Sequence, residues 1–348
     1  MKALQVINTK EMELVDIETP SPCKDEVLIK VAYCGVCGSD LARYFKGQVH
    51  KFPQILGHEF SGIIESVGDS VKSIEVGDRV AVAPLKPCGK CHMCETGEPA
   101  MCTNYSFIGS REPGAMAEYV VAPERNVMVI PDELSLKEAA LVEPLTVAIH
   151  GVDRLKVESG DVALVLGSGT IGLLTIGVLR AKGVKKIIAT DLSEEKLKYA
   201  KNMGADVAID TTEVTLDDYF KDQQLPDLVY ETAGSPYTHV EAFKFVRKKG
   251  QVCYIGTSTS EITFNHKEFE LINRGELTVT GSWMSYSAPF PGKEWGAALN
   301  YLANKEIMVK DLITGVHSLE DKSLPFNRLI DKDIVAVDEI YEISKEEE

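Results

Sequence analysis

Four cysteines, Cys88, Cys91, Cys94 and Cys102, fall in the segment CGKCHMCETGEPAMC with spacings of two, two and seven residues. One loop can then wrap a tetrahedral metal ion, and zinc is the natural occupant of such a thiolate set. Four thiolates fill a tetrahedral sphere, so a metal there holds a loop and has no open position for a substrate. Free reduced thiols and an iron–sulfur cluster are the alternatives. His92 lies within the loop and reads as a solvent-facing bystander.

A second group is scattered along the chain: Cys37 in CGVCGSD, His58 and Glu59 in GHE, and Glu143 in VEPL. Each is weak alone, because a single histidine beside a carboxylate is more often a buried structural pair. Together Cys, His and carboxylate form an accepted catalytic zinc set that keeps one position for water or a substrate oxygen. Such a zinc lowers the proton affinity of a bound hydroxyl, the Lewis-acid route by which a secondary alcohol loses hydride and becomes a ketone. Spacing does not rank Glu59 against Glu143. Cys34 reads as a packed core thiol.

The third group is a coenzyme fingerprint. In VALVLGSGTIGLL, Gly167, Gly169 and Gly172 form GxGxxG between an apolar strand and an apolar helix, with Thr170 and Ile171 at the helix start. The turn and the helix N-terminus offer amide donors to a pyrophosphate. Asp191 closes the next strand, nineteen residues after Gly172, where its carboxylate binds ribose hydroxyls and repels a ribose phosphate, favouring NAD over NADP. Ser193 is the better candidate to cap the helix that follows.

These residues need a scaffold. Up to about residue 145 the chain shows short strands and glycine turns (EVLIKVAY, SGIIESVGDSV, GDRVAV, AEYVVA), a β-rich pattern. After Pro144, strand and helix alternate through VALVL, KIIATD, EEKLKYAKNMG, DLVYETAG, THVEAFKFVRKKG and QVCYIG to about Trp283, which predicts a doubly wound parallel sheet. From about Ser285 the chain reads as helix and mixed structure returning to the first domain. The expected division is therefore 1–146 with 285–348, and 147–284, two domains being usual for 348 residues.

Acidic residues outnumber basic ones, 53 against 37, and this disfavours nucleic acid and anionic lipid as partners. The sequence shows neither a leader pattern nor an apolar run of about eighteen residues, so a cytoplasmic location is expected. Eight cysteines in such a chain point to metal ligation rather than disulfides.

With GHE, the four-cysteine loop and GSGTIG in order, the chain resembles the zinc-containing medium-chain dehydrogenases along nearly its whole length. The resemblance implies an α/β protein with a GroES-like β-rich catalytic domain and a Rossmann coenzyme domain, carrying two zinc ions per subunit and NAD. It assigns the catalytic zinc to Cys37, His58 and Glu143, with Glu59 as a nearby or alternating ligand. Ser39 would relay the alcohol proton and Asp40 would support its loop. Many family members carry a histidine three residues beyond the relay hydroxyl; here that position is Ala42, and His50 or water would take its place. The chain end, DKDIVAVDEIYEISKEEE, departs from the shorter family ending and is expected to be a solvated extension without function.

Within the family the chain is most similar to polyol-phosphate dehydrogenases, through CGSDLARYFKG, LGHEFSG, YSFIGSREPG, VEPLTVAIHG and GSWMSYSAPFPGKEW. The last stretch has no structural reason visible in sequence. The implied reaction is oxidation of galactitol 1-phosphate to a keto-hexose phosphate, with another polyol phosphate, such as arabitol phosphate, or a neutral polyol or diol as the alternatives. A phosphate would need a guanidinium near the reactive zinc, and Arg43 and Arg111 are the preferred anchors, with Lys46 and Lys293 behind them. Trp283, Tyr286 and Trp295 would line the pocket or pack the core. Relatives form dimers and tetramers, so a homodimer or homotetramer is expected.

Overall fold

The computed structural model describes residues 1–344. The chain divides into two compact units: Met1–Glu143, Tyr286–Lys305 and the residues from Val309 onward form one, and Pro144–Ser285 with Glu306–Met308 the other. The first crossing falls inside the helix Val142–Asp153. The return of 306–308 to the second unit is not foreseen from sequence. Its reason is packing: at Gly177 a Cβ would stand 3.2 Å from Ile307, so a bare glycine admits the Ile307 side chain.

In the first unit, six strands hydrogen-bond in the order Val127–Val129, Arg79–Val82, Phe60–Val67, Glu26–Gly35, Asp338–Glu342 and Ile313–His317, with Tyr119–Pro123 also pairing to Glu26–Gly35. The segment EVLIKVAYCG is apolar on both faces because its two faces are covered; seven of its ten residues are buried. Val27, Ile29, Val31 and Cys34 join Leu4, Val6, Phe60 and Ile64 in the core of this unit.

Here the chain end overturns an expectation. Asp338–Glu342 is no solvated extension: it is an interior strand in antiparallel register with the strand behind Cys37, Ile340 opposite Gly35 and Tyr341 opposite Cys34. Ile340 and Tyr341 are fully buried. The buried Glu339 carboxylate meets His317, Arg328 Nε and Thr314 Oγ1, so an acid that reads as solvated in sequence is compensated by partners distant in the chain. Only residues 345–348 of the acidic tail lie outside the described residues.

The second unit holds a six-stranded, wholly parallel sheet in the order Val207–Asp210, Lys186–Asp191, Val162–Leu166, Leu228–Glu231, Gln251–Tyr254 and Thr278–Gly281. The order reverses beside Val162–Leu166, the switch point at which open α/β sheets bind ligands beyond their strand ends. The helices Thr170–Ala181, Glu194–Asn202, Pro236–Lys244 and His266–Gly275 make the crossovers. Ser193 caps the second of them by accepting the Lys196 N–H, as expected.

Candidate active site and metal centres

Cys37 is the N-cap of the helix Gly38–Lys46, immediately after the central strand Glu26–Gly35. The turn of this helix explains the CGSD pattern. Asp40 and Tyr44, four residues apart, are its buried face, while Ser39 remains exposed. His58 and Glu59 precede the neighbouring strand Phe60–Val67. The result is a trio: donor atoms of Cys37, His58 and Glu59 all lie within 4.8 Å of one another. Gly35 makes this possible, since a Cβ there would stand 2.6 Å from Glu59 Oε2.

Glu143 is not part of that trio but is close enough to act on it. It is buried, and burial with the charge of Asp40 pushes its carboxyl up to about 8. Loss of water, then Asp338, Glu143 and Asp40, hold the Glu59 carboxyl well above the usual carboxylate range. Desolvation, then Glu59, Asp40 and Glu143, likewise raise the Cys37 thiol. The His58 imidazole is lowered by burial, which keeps it neutral and able to ligate. Its Nδ1 stands 3.6 Å from Asp40 Oδ2, and neither atom has a hydrogen-bond partner among the described residues. The carboxylate faces the imidazole without a hydrogen bond to it; a carboxylate that accepts the ring N–H of a ligating histidine orients the ring. Sulfur, imidazole and carboxylate donors, ringed by buried acids, fit a divalent cation such as zinc.

Arg43 sits one turn past Ser39. One guanidinium nitrogen, Nη1, donates both to Ser39 Oγ and to Asp40 Oδ1, each at 2.7 Å. The expected phosphate anchor is thus engaged with the Ser39 hydroxyl and the Asp40 carboxylate. Arg111 is exposed and lies over the Tyr105 ring, 4.1 Å from its centroid. His50 is exposed. Trp283 is 51% exposed, whereas Tyr286 and Trp295 are buried and stacked on each other, so these two belong to the core.

The four cysteines also converge, with all four sulfurs within 4.8 Å. Cys91 Sγ is 3.5 Å from Cys94 Sγ and 3.8 Å from Cys102 Sγ. Sulfurs about 2.3 Å from a zinc ion form a tetrahedron with edges of about 3.8 Å, so the loop has the right size. Backbone N–H groups of Cys94 and Thr103 pull the Cys91 thiol down to about 5. The two-residue ladder of Leu85–Lys86 with Ser106–Phe107 closes the loop's neck. His92 is exposed.

At the coenzyme fingerprint each glycine has a separate cause. Gly167 has φ +99, and a Cβ there would meet Ala233 at 2.8 Å; at Gly172 it would stand 2.0 Å from the Gly167 carbonyl oxygen. Gly169, the N-cap of Thr170–Ala181, faces open space, with nothing within 4 Å of a Cβ. That opening at a helix N-terminus suits a pyrophosphate. Asp191, at its strand end, accepts the Ser168 N–H at 2.8 Å and the Ser193 N–H at 3.0 Å. One oxygen thereby ties the fingerprint turn to the next strand.

Asp338 is the residue beside the trio to which the sequence does not point, and the contact of Tyr286 with the neck of the cysteine loop is likewise visible only in the structure. Asp338 is buried with both carboxylate oxygens unpaired among the described residues, and it acts on Glu59. No spacing could have found it, because it lies far along the chain and arrives by strand pairing.

Residues 23–132 match the family described as the alcohol dehydrogenase GroES-like domain, and residues 170–304 the zinc-binding dehydrogenase family. The chain is 39% identical over 300 residues to galactitol 1-phosphate 5-dehydrogenase of Escherichia coli strain K12, covering 85% of this chain and 87% of that one. It is 36% identical over 329 residues to sorbitol dehydrogenase of Bacillus subtilis strain 168, covering 92% and 91%. The crystal structure of galactitol-1-phosphate dehydrogenase from Escherichia coli superposes with a TM-score of 0.93 at 34% identity, covering 98% of this chain and 100% of that one. The chain belongs to the zinc-binding medium-chain alcohol dehydrogenases. It is an oxidoreductase of the alcohol and polyol dehydrogenase class, in a family described as zinc-binding, and its two clusters of cysteine, histidine and carboxylate donors could each hold a metal ion.

Proposed function

We propose that this enzyme oxidises a secondary alcohol of a polyol phosphate with NAD, galactitol 1-phosphate being the favoured substrate and a keto-hexose phosphate the product. The observation that carries the reading is the convergence of half-buried Cys37 with buried His58 and Glu59, with the exposed Ser39 hydroxyl two residues from Cys37. Cys37, His58 and Glu59, whose donor atoms converge, would hold the catalytic zinc, with Glu143 as a second carboxylate near them. Zinc, when bound, supplies Lewis acidity toward the alcohol oxygen. Ser39 takes the alcohol proton; Arg43, a permanent donor, cannot receive it onward, so the proton leaves through water or toward His50. Asp40 orients His58. Gly167, Gly169, Thr170, Ile171 and Gly172 cradle the pyrophosphate, and Asp191 holds the adenosine ribose. Cys88, Cys91, Cys94 and Cys102 carry a structural zinc.

For the phosphate, Arg43 and Arg111 remain the proposed anchors, Arg43 through the N–H groups beyond its bonded Nη1. The similarity to a galactitol 1-phosphate enzyme supports this choice. A neutral polyol is the second reading, favoured by the sorbitol dehydrogenase similarity and by the engagement of Arg43 with Ser39 and Asp40. No described helix is long and apolar enough to cross a membrane, and a cytoplasmic homodimer or homotetramer is part of the reading. NADH formation across paired polyols and polyol phosphates is the test: kcat/KM higher for galactitol 1-phosphate than for galactitol is expected, and preference for the neutral member of every pair overturns the substrate assignment.

A further inference from the structure

The segment SYSAPFPGKEW, without explanation in sequence, folds against the four-cysteine loop at three separate points. At the neck, the Tyr286 hydroxyl accepts the Leu85 N–H at 3.3 Å, and Leu85 is the first residue of the ladder that closes the loop. On the flank, the Arg125 guanidinium lies 5.7 Å from the Phe290 ring centroid while its Nη2 donates to the Pro87 carbonyl at 2.9 Å, one residue before Cys88. Its Nη1 is 4.0 Å from where a Cβ on Gly89 would be. On the far side, a Cβ at Gly97 would stand 3.2 Å from the Ala288 methyl, so the loop backbone rests on the segment.

The segment is also packed on itself. Tyr286 is stacked between Phe290 and Trp295, 5.9 Å from each ring with interplanar angles of 13° and 26°. Ser287 Oγ donates to the buried Glu294 carboxylate at 2.7 Å. The Tyr286 and Trp295 rings are fully buried, and Phe290 is half-buried.

We infer that residues 286–295 are a retaining clasp for the four-cysteine zinc loop, with Tyr286 and Phe290 as positioning residues and Arg125 as the strut that couples the aromatic stack to the chain entering Cys88. The strut also brings positive charge to a loop whose metal-bound form carries four thiolates. This places the motif's role in metal retention, distinct from sugar recognition. It rests on the loop holding zinc, which metal analysis of the wild-type protein tests on its own.

The experiment is alkylation of the holoenzyme by iodoacetamide in the presence of excess EDTA, with each cysteine followed by peptide mass spectrometry. Phe290→Ala and Arg125→Ala are expected to speed modification of Cys88, Cys91, Cys94 and Cys102 by about fivefold to tenfold, the worth of a cation–ring contact partly shielded from water. Tyr286→Phe, which removes only the hydroxyl and keeps the stack, is expected to give about threefold, the scale of one hydrogen bond. Buried Cys253, in the other unit, serves as the internal reference and should keep its wild-type rate. Phe290→Tyr should restore slow modification. Unchanged loop rates in all three variants overturn the inference, and so does acceleration of Cys253 in parallel with the loop, which would mean general unfolding.

Discussion

At the scale of single residues, the site is built from groups whose ordinary chemistry is altered by burial. Ser39 is the exception, exposed and held from one side by Arg43. Because guanidinium only donates, it occupies one Ser39 lone pair and leaves the other for the alcohol proton. Ser39→Ala should slow single-turnover hydride transfer by about a hundredfold or more, the usual worth of a positioned proton-transfer group, while NADH binding measured by fluorescence is unchanged; wild-type turnover would refute the relay. Arg43 separates two roles. If it anchors a phosphate, Arg43→Ala raises KM for the phosphorylated polyol and spares the neutral one. If it chiefly holds Ser39 and Asp40, kcat falls for both alike. Steady-state kinetics on a matched substrate pair decides, with Arg111→Ala expected to show the KM effect in either case.

At the scale of elements, the site depends on a strand that sequence reading assigned to solvent. Asp338–Glu342 pairs with the strand that leads to Cys37, and the buried Tyr341 hydroxyl donates to the Lys322 carbonyl. Replacing Tyr341 by Ala should destabilise the first unit by about 3–5 kcal/mol, the cost of deleting a buried aromatic ring. Chemical denaturation checks it; a loss below about 1 kcal/mol, the scale of a surface substitution, would show the strand to be peripheral. The Rossmann elements behave oppositely. Each of their signals is local, from the strand Val162–Leu166 and the helix Thr170–Ala181 to the Ser193 cap, and these were readable in sequence.

At the scale of the whole molecule, four buried acids gather at one place. Asp40, Glu59, Glu143 and Asp338 share it with Cys37. Burial and the neighbouring carboxylates raise Cys37 and Glu59, favouring their protonated forms without a cation, and a metal ion must displace those protons. Zinc affinity should therefore rise with pH and be lost as pH falls, with protons released on binding. Titration calorimetry of the apoenzyme in two buffers of different ionisation enthalpy measures that release; equal heats in both would contradict it. How much of this was legible divides along a physical line. The four-cysteine loop, the glycine turn and the alternation of strand and helix are written in spacing, because their partners lie within one turn, one loop or one crossover. GHE and CGSD named donors without showing that Cys37, His58 and Glu59 converge, nor that Glu143 is outside that converging set. Only tertiary structure decided those, together with the strand Asp338–Glu342 behind the site and the aromatic clasp at the cysteine loop. Pairings between strands hundreds of residues apart, and charges neutralised by distant partners, leave no periodic trace in the chain.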